Sequence, residues 1–305
     1  MRARRLLGAM LLGLLVPVMA AAQAPAPIRL NIGFSLRVMG KSNRNDLTAA
    51  MKAWLLTMAR ERKVEVDPNV QIFDRFEDLL QAMRLKQLDV VSVGMDDFLL
   101  LEKAVPLSGM FVNQTGGKIT DQYVLLVRRD RAVKGLADLR GQSIIVLEQG
   151  HTLLAPLWLD TELMRRHLPV AARFFGKVSY ATKPSLAIMP LFFKQADAVM
   201  MNQAAFATAC ELNPQMGKDL TVLMASPEVL SAVGAYRANA NPASAAFYRE
   251  EAMRLGETPG GRLILNLFQT DAIVQVSESD LREARALLAE HARLLAAAQR
   301  KGGAP

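Results

Sequence analysis

The segment richest in usable chemistry is Glu148-Gln149-Gly150-His151-Thr152, set between an apolar run, Ser143 to Leu147, and a helical pattern. Gly150 lets a backbone approach closely, and the amides that open the helix form, with Gln149 and the Thr152 hydroxyl, a nest for an anion. Thr152 can equally be an N-cap, and the two roles are compatible. His151 reads either as a ligand donor and pH-sensitive group or as a surface or capping residue. Four further loops belong to the same set, one of them Thr182 and Lys183. Ser35 and Arg37 can clamp an oxyanion, arginine offering a planar fork of donors, or Arg37 can be a solvated surface residue. In Gly94-Met95-Asp96-Asp97-Phe98, Phe98 can wall a cleft and Asp96 can face a ligand amine, or either aspartate can cap the next helix. Asn202, beside Gln203, closes the set of candidate ligand contacts.

Catalytic signatures are absent around these residues. The sequence has no phosphate-binding loop of the nucleotide-hydrolase type, no G-x-S-x-G elbow, no H-E-x-x-H and no dinucleotide fingerprint. No catalytic residue, metal ligand or cofactor is therefore predicted. His151, His167 and His291 are dispersed, the single cysteine, Cys210, lies among apolar neighbours as a structural residue, and the sixteen methionines read as core filler. The formal charge of +8 falls to about +5 once the arginines of the N-terminal leader are set aside, and the basic residues are scattered, which argues against nucleic acid as a partner.

The positioning elements follow from periodicity. Arg2, Arg4 and Arg5, an apolar stretch from Leu6 to Met19 and Ala20 to Ala22 have the layout of a secretory signal, so residues 1–22 are expected to be removed. The stretch is shorter than the roughly 20 residues that cross a bilayer. From Ile28 onward strands alternate with helices, the pattern of a parallel sheet covered on its faces, and it occurs twice. The predicted fold is α/β: two Rossmann-like α/β lobes joined by two crossover strands, Tyr123 to Arg128 and Val233 to Arg237. The first lobe is discontinuous, 28–122 plus 234–300, and the second is 123–233. A helix is predicted over Thr152 to His167, and a C-terminal helix capped by Ser277 is predicted to complete the first lobe before Gly302 and Gly303 stop it. In open α/β sheets ligands bind beyond the carboxyl ends of the strands, which is where the loops above fall.

With lobes and loops placed, three stretches carry a resemblance: Leu88-Asp89-Val90-Val91-Ser92-Val93-Gly94, then Leu136-Ala137-Asp138-Leu139-Arg140-Gly141-Gln142-Ser143-Ile144-Ile145-Val146, and Gln195-Ala196-Asp197-Ala198-Val199. Over about residues 28 to 275 the chain resembles the phosphate/phosphite/phosphonate-binding family of ABC importer receptors, of the type II periplasmic binding protein fold. The resemblance implies a non-enzymatic periplasmic receptor, monomeric, that closes on a small-molecule anion and delivers it to an inner-membrane ABC permease, or reports it to a signalling partner such as a sensor histidine kinase. Members that bind phosphonates have a loop like Gly-Ser-Thr-Ser-Gly, of which Gly150-His151-Thr152 keeps the glycine and one threonine, and Phe98 stands where a tyrosine is common. Both departures remove hydroxyls and imply a more apolar pocket.

Overall fold

The structure is a computed structural model that describes residues 27–39 and 43–300. The expected signal at 1–22, Lys41 of the first loop, and Gly302 and Gly303 lie outside the described residues.

Among the described residues eleven strands fall into two sheets. β1 (Ile28–Ser35), β2 (Val66–Phe73), β3 (Val90–Gly94) and β4 (Leu107–Gln114) belong to the first, and β5 (Asp121–Arg128), β6 (Ser143–Leu147), β7 (Lys177–Ala181), β8 (Ala198–Asn202) and β9 (Leu220–Val229) to the second; β10 (Ala232–Arg237) and β11 (Ala272–Val276) return to the first. The orders are β11-β4-β10-β3-β1-β2 and β7-β6-β8-β5-β9. In each sheet a parallel triplet, β3-β1-β2 or β7-β6-β8, meets one antiparallel neighbour that links the lobes, β10 on β3 and β5 on β8. The chain thus crosses between lobes twice, between Gln114 and Asp121 and between Val229 and Ala232. β3 and β8 read as nearly unbroken apolar runs because helices bury both of their faces.

Several elements differ from expectation. β4 and β11 are additions to the predicted strands: Gly109, at φ +67°, interrupts the pattern of β4, and β11 is a short edge strand. β2 and β9 run through Pro68 and Pro227, which are tolerated because both strands lie at sheet edges. The helix expected over Thr152 to His167 is a short 3₁₀ turn, Gly150–Thr152, followed by an α-helix, Ala155–Arg165, with Pro156 in its first turn. It ends in a Schellman arrangement, Leu168 N bonding Leu163 O and His167 N bonding Met164 O, with His167 at φ +59°. The C-terminal helix, Arg282–Arg300, does more than complete the first lobe. Arg285 pairs with Glu102 at 2.7 Å on the first-lobe helix Met95–Ala104, while Arg165 bonds Glu290 at 2.8 Å and Thr161 bonds His291 at 3.1 Å on the second-lobe helix. It straps the two lobes together behind the cleft.

The family-like stretches are anchored by acids at the amino ends of strands. Asp89, just before β3, accepts from Arg237 at 2.7 Å and from Asn31 at 2.9 Å; Asp197, just before β8, accepts from the Ser143 amide and hydroxyl at 2.8 and 2.7 Å; Asp138 caps its own turn through the amides of Lys134 and Gly135.

Candidate functional site

At the carboxyl ends of the strands the turn Gly150–Thr152 meets the first-lobe turn Leu36–Met39. A Cβ on Gly150 would lie 2.9 Å from the Val38 carbonyl oxygen. The close backbone approach that Gly150 permits is therefore to the opposite lobe. This contact divides the cleft into two cavities, with Glu148, Gln149 and Thr182 lining both.

Thr152 is buried, and its hydroxyl is already used: it donates to the Leu147 carbonyl at 2.6 Å and accepts from the Gln149 amide at 2.9 Å. Thr152 is not the expected N-cap, which is Gln149 for the turn and Leu154 for the helix; as the last residue of the turn it reaches back to the Gln149 amide, and its hydroxyl is not available to a ligand in this arrangement. Thr152→Val should then lower stability by about 1–2 kcal/mol, the cost of leaving buried backbone groups unpaired. Equilibrium urea unfolding measures it; an unchanged midpoint would show that the loop rearranges freely.

His151 points toward the crossover. Its Nδ1 is 3.4 Å from Asp121 Oδ2, and Ser231 donates to Asp121 at 3.1 Å and shares a 2.7 Å hydrogen bond with the buried Tyr123 hydroxyl. Asp121 and Ser231 stand at the two passages between lobes, so this chain of polar groups spans the hinge. The hydrogen bond to Asp121 raises the His151 pKa, against the opposing effect of burial. A raised folded-state pKa gives stability that is complete below the ordinary histidine value of about 6.5 and lost as pH rises through the folded value. Thermal unfolding of the native chain should accordingly weaken across that interval relative to His151→Asn; parallel pH profiles would refute the coupling.

The first-lobe candidates behave differently from expectation. Arg37 donates to Asp96 at 2.9 Å and to Asp97 at 3.0 Å, so its fork is occupied by carboxylates instead of an oxyanion. Burial opposes its charge, but the two aspartates raise its pKa; burial and Asp96 raise that of Asp97 against the pull of Arg37. Asp96 thus gives one carboxylate oxygen to Arg37, while its Oδ1 is buried without a partner. Phe98 and Met95 are buried in the main hydrophobic core, with the Arg285 guanidinium carbon 5.9 Å from the Phe98 ring centroid, so Phe98 walls no cleft. In helical geometry its position, three residues after Met95, turns it back beneath the sheet. Ser35 is buried too, and neither Ser35 nor Asn202 lines either cavity; the Asn202 Oδ1 is buried without a hydrogen-bond partner.

Of the predicted contacts, Gln149, Gly150 and His151 line a cavity of about 420 Å³, and Arg37, Asp96, Gln149 and Thr152 line its neighbour of about 570 Å³. Both cavities lie between the lobes, and the smaller one also reaches the crossovers at Asp121 and Ser231. Its second-lobe and hinge side is polar, with Asp121, Glu148, Gln149, His151, Lys183 and Ser231; its first-lobe side is an apolar chamber built by Phe34, Trp54, Phe111, Tyr248, Ile264 and Phe268. The chamber residues escape a reading of the sequence because Trp54, Tyr248 and Ile264 occupy helix positions that core packing alone explains. Among the described residues no group of three His, Cys, Asp or Glu side chains is arranged to hold a metal ion, and no helix is long and apolar enough to cross a membrane.

Two α/β lobes, two crossovers and a cavity shared between them define the class: a type II periplasmic binding protein. The chain belongs to the family of ABC transporter phosphonate periplasmic substrate-binding proteins, whose model matches residues 38–281. The family is one of transport receptors and not of enzymes. No curated protein matches in sequence. Among solved structures, XAC2383 from Xanthomonas citri bound to ATP is similar at 16% identity and a TM-score of 0.62, over 87% of this chain and 98% of that one. A binding protein component of an ABC phosphonate transporter from Pseudomonas aeruginosa gives 14%, 0.58, and 88% of each chain. PhnD1 from Prochlorococcus marinus in complex with methylphosphonate gives 14% and 0.55, over 86% and 97%.

Proposed function

We propose that this chain is an exported receptor that closes its two lobes on a small anionic solute and presents the closed form to an inner-membrane ABC permease. The observation that carries this reading is the cavity whose wall is shared by both lobes and by Asp121 and Ser231 at the crossovers, so that filling it favours the closed arrangement over the open one. The first lobe in this reading is 28–122 plus 234–300 and the second 123–233, with the C-terminal helix bridging them.

The test is small-angle scattering of the mature chain, expected to begin near Gln23, before and after addition of a low-molecular-mass periplasmic extract. The radius of gyration should fall, and native mass spectrometry should show one added solute per chain. An unchanged profile with no added mass rules the reading out.

A further inference from the structure

The larger part of the shared cavity is not built for a phosphoryl group. A dianionic phosphoryl group has three oxygens to satisfy, and such groups are ordinarily met by converging arginines, amides and hydroxyls. Here no arginine is among the lining residues, Arg37 is held by Asp96 and Asp97 outside the cavity, and the Thr152 hydroxyl is held by Leu147 and Gln149. Cationic groups are few at the mouth: Lys183, and His151, which already faces Asp121, with the acidic Glu148 alongside. Behind this mouth the chamber is walled by aromatic and aliphatic side chains, Phe34 and Phe268 with ring centroids 5.7 Å apart and Phe111 and Tyr248 6.0 Å apart. At about 420 Å³ the cavity is of the size that takes a small organic molecule.

Ser92, Asn113 and Gln269 also line the cavity, and one lining side chain carries a buried polar atom without a partner. Trp54 is 3% exposed and lines the cavity, and its Nε1 has no hydrogen-bond partner. A buried indole N–H ordinarily finds an acceptor, and leaving it without one costs about 1–3 kcal/mol. A ligand oxygen in the chamber would supply the acceptor.

We infer that the solute is a compact organic monocarboxylate whose apolar, aromatic-sized body fills the first-lobe chamber and carries one acceptor oxygen for Trp54 Nε1, its carboxylate meeting Lys183, His151 and Gln149 at the mouth. This rests on the proposed receptor function. The body supplies most of the affinity through apolar burial, and the single carboxylate matches the small positive complement that remains.

Calorimetric titration of the mature chain with 4-hydroxyphenylacetate, phenylacetate, phosphate and methylphosphonate tests it. The hydroxylated acid should bind at least about 100-fold tighter than either phosphorus anion, a difference of some 2.7 kcal/mol. Phenylacetate, lacking the acceptor, should bind about 5- to 10-fold more weakly than its hydroxylated partner, the worth of one hydrogen bond. Trp54→Phe should abolish that difference, so that the two acids bind the variant equally; a difference that persists overturns the role of Trp54 Nε1. As a check on the native chain, the emission of Trp54 should shift when 4-hydroxyphenylacetate saturates. Tighter binding of phosphate or methylphosphonate than of both acids overturns the inference, and if that binding also contracts the molecule the receptor function stands without it. No binding by either acid overturns the inference as well; the receptor function falls with it only if periplasmic extract also leaves the scattering profile unchanged.

Discussion

Replacing Arg237 with methionine should cost about 3–5 kcal/mol of folding free energy, because it strands a buried carboxylate without its countercharge. Arg237 is 7% exposed and lies at the end of β10. Its guanidinium donates to Asp89 Oδ1 at 2.7 Å, to the Leu88 carbonyl at 2.9 Å and to the Asn239 carbonyl at 2.7 Å. Asp89 is 4% exposed, and its other oxygen accepts from Asn31, which in turn accepts from Asn69. The network ties β10 to β3, β1 and β2 across the amino end of the parallel triplet. Methionine fills much of the space but leaves the Asp89 carboxylate buried with one neutral donor and leaves two carbonyls unpaired. The expected sign of a specific effect is partial recovery in the double variant Arg237→Met, Asp89→Asn, because removing both charges removes the uncompensated one. Urea unfolding with an unchanged slope measures both. A loss below about 1 kcal/mol for Arg237→Met would mean that water reaches Asp89 and that the pair is not buried in solution.

That network bears on what the sequence could disclose. Asp89, Asp138 and Asp197 each lie in one of the stretches that carry the family resemblance, and each serves the scaffold: one holds β10 to β3, one caps a turn before β6, one holds β8 to β6. Each precedes a buried strand, where an acid satisfies amides or a guanidinium, Asp138 within its own turn and Asp89 and Asp197 with partners 148 and 54 residues away. The carboxyl ends of the same strands carry no such demand. There the sequence shows Arg37, Asp96 and Thr152 as groups able to meet a ligand, and only tertiary structure reveals that Arg37 and Asp96 neutralise each other and that Thr152 satisfies its own turn. Phe98 misleads for a related reason. Its neighbours do not say which side of the helix faces the cleft, and packing against Arg285, 187 residues later in the chain, settles it. The chamber is the least legible part. Trp54, Phe111, Tyr248 and Phe268 come from four separated segments, and a buried aromatic that borders a cavity has the same sequence pattern as one that borders other side chains.

Gly234→Ala should lower stability by about 1–3 kcal/mol through overpacking and, at the same time, occupy the chamber. Gly234 lies directly across from Phe111 on the neighbouring strand, and a Cβ built on it would fall 2.1 Å from two atoms of the Phe111 ring. No main-chain shift is readily available, since β10 is held on one side by β3 and on the other by β4. The ring must therefore move. Tyr236, with centroids 5.3 Å apart, and Tyr248, 6.0 Å apart, close off two directions, and the open one is the cavity that Phe111 already lines. The substitution thus converts a packing conflict into a filled chamber, and any solute that uses the chamber must expel the ring. Shortening the partner separates this from simple damage to the strand: in the double variant Gly234→Ala, Phe111→Leu the clash is relieved, so its loss should fall short of the sum of the two single losses by about 1 kcal/mol or more. Denaturant unfolding of the four proteins gives the coupling directly. Additive losses would show that the ring leaves by another route, and that Gly234 is required for the strand alone.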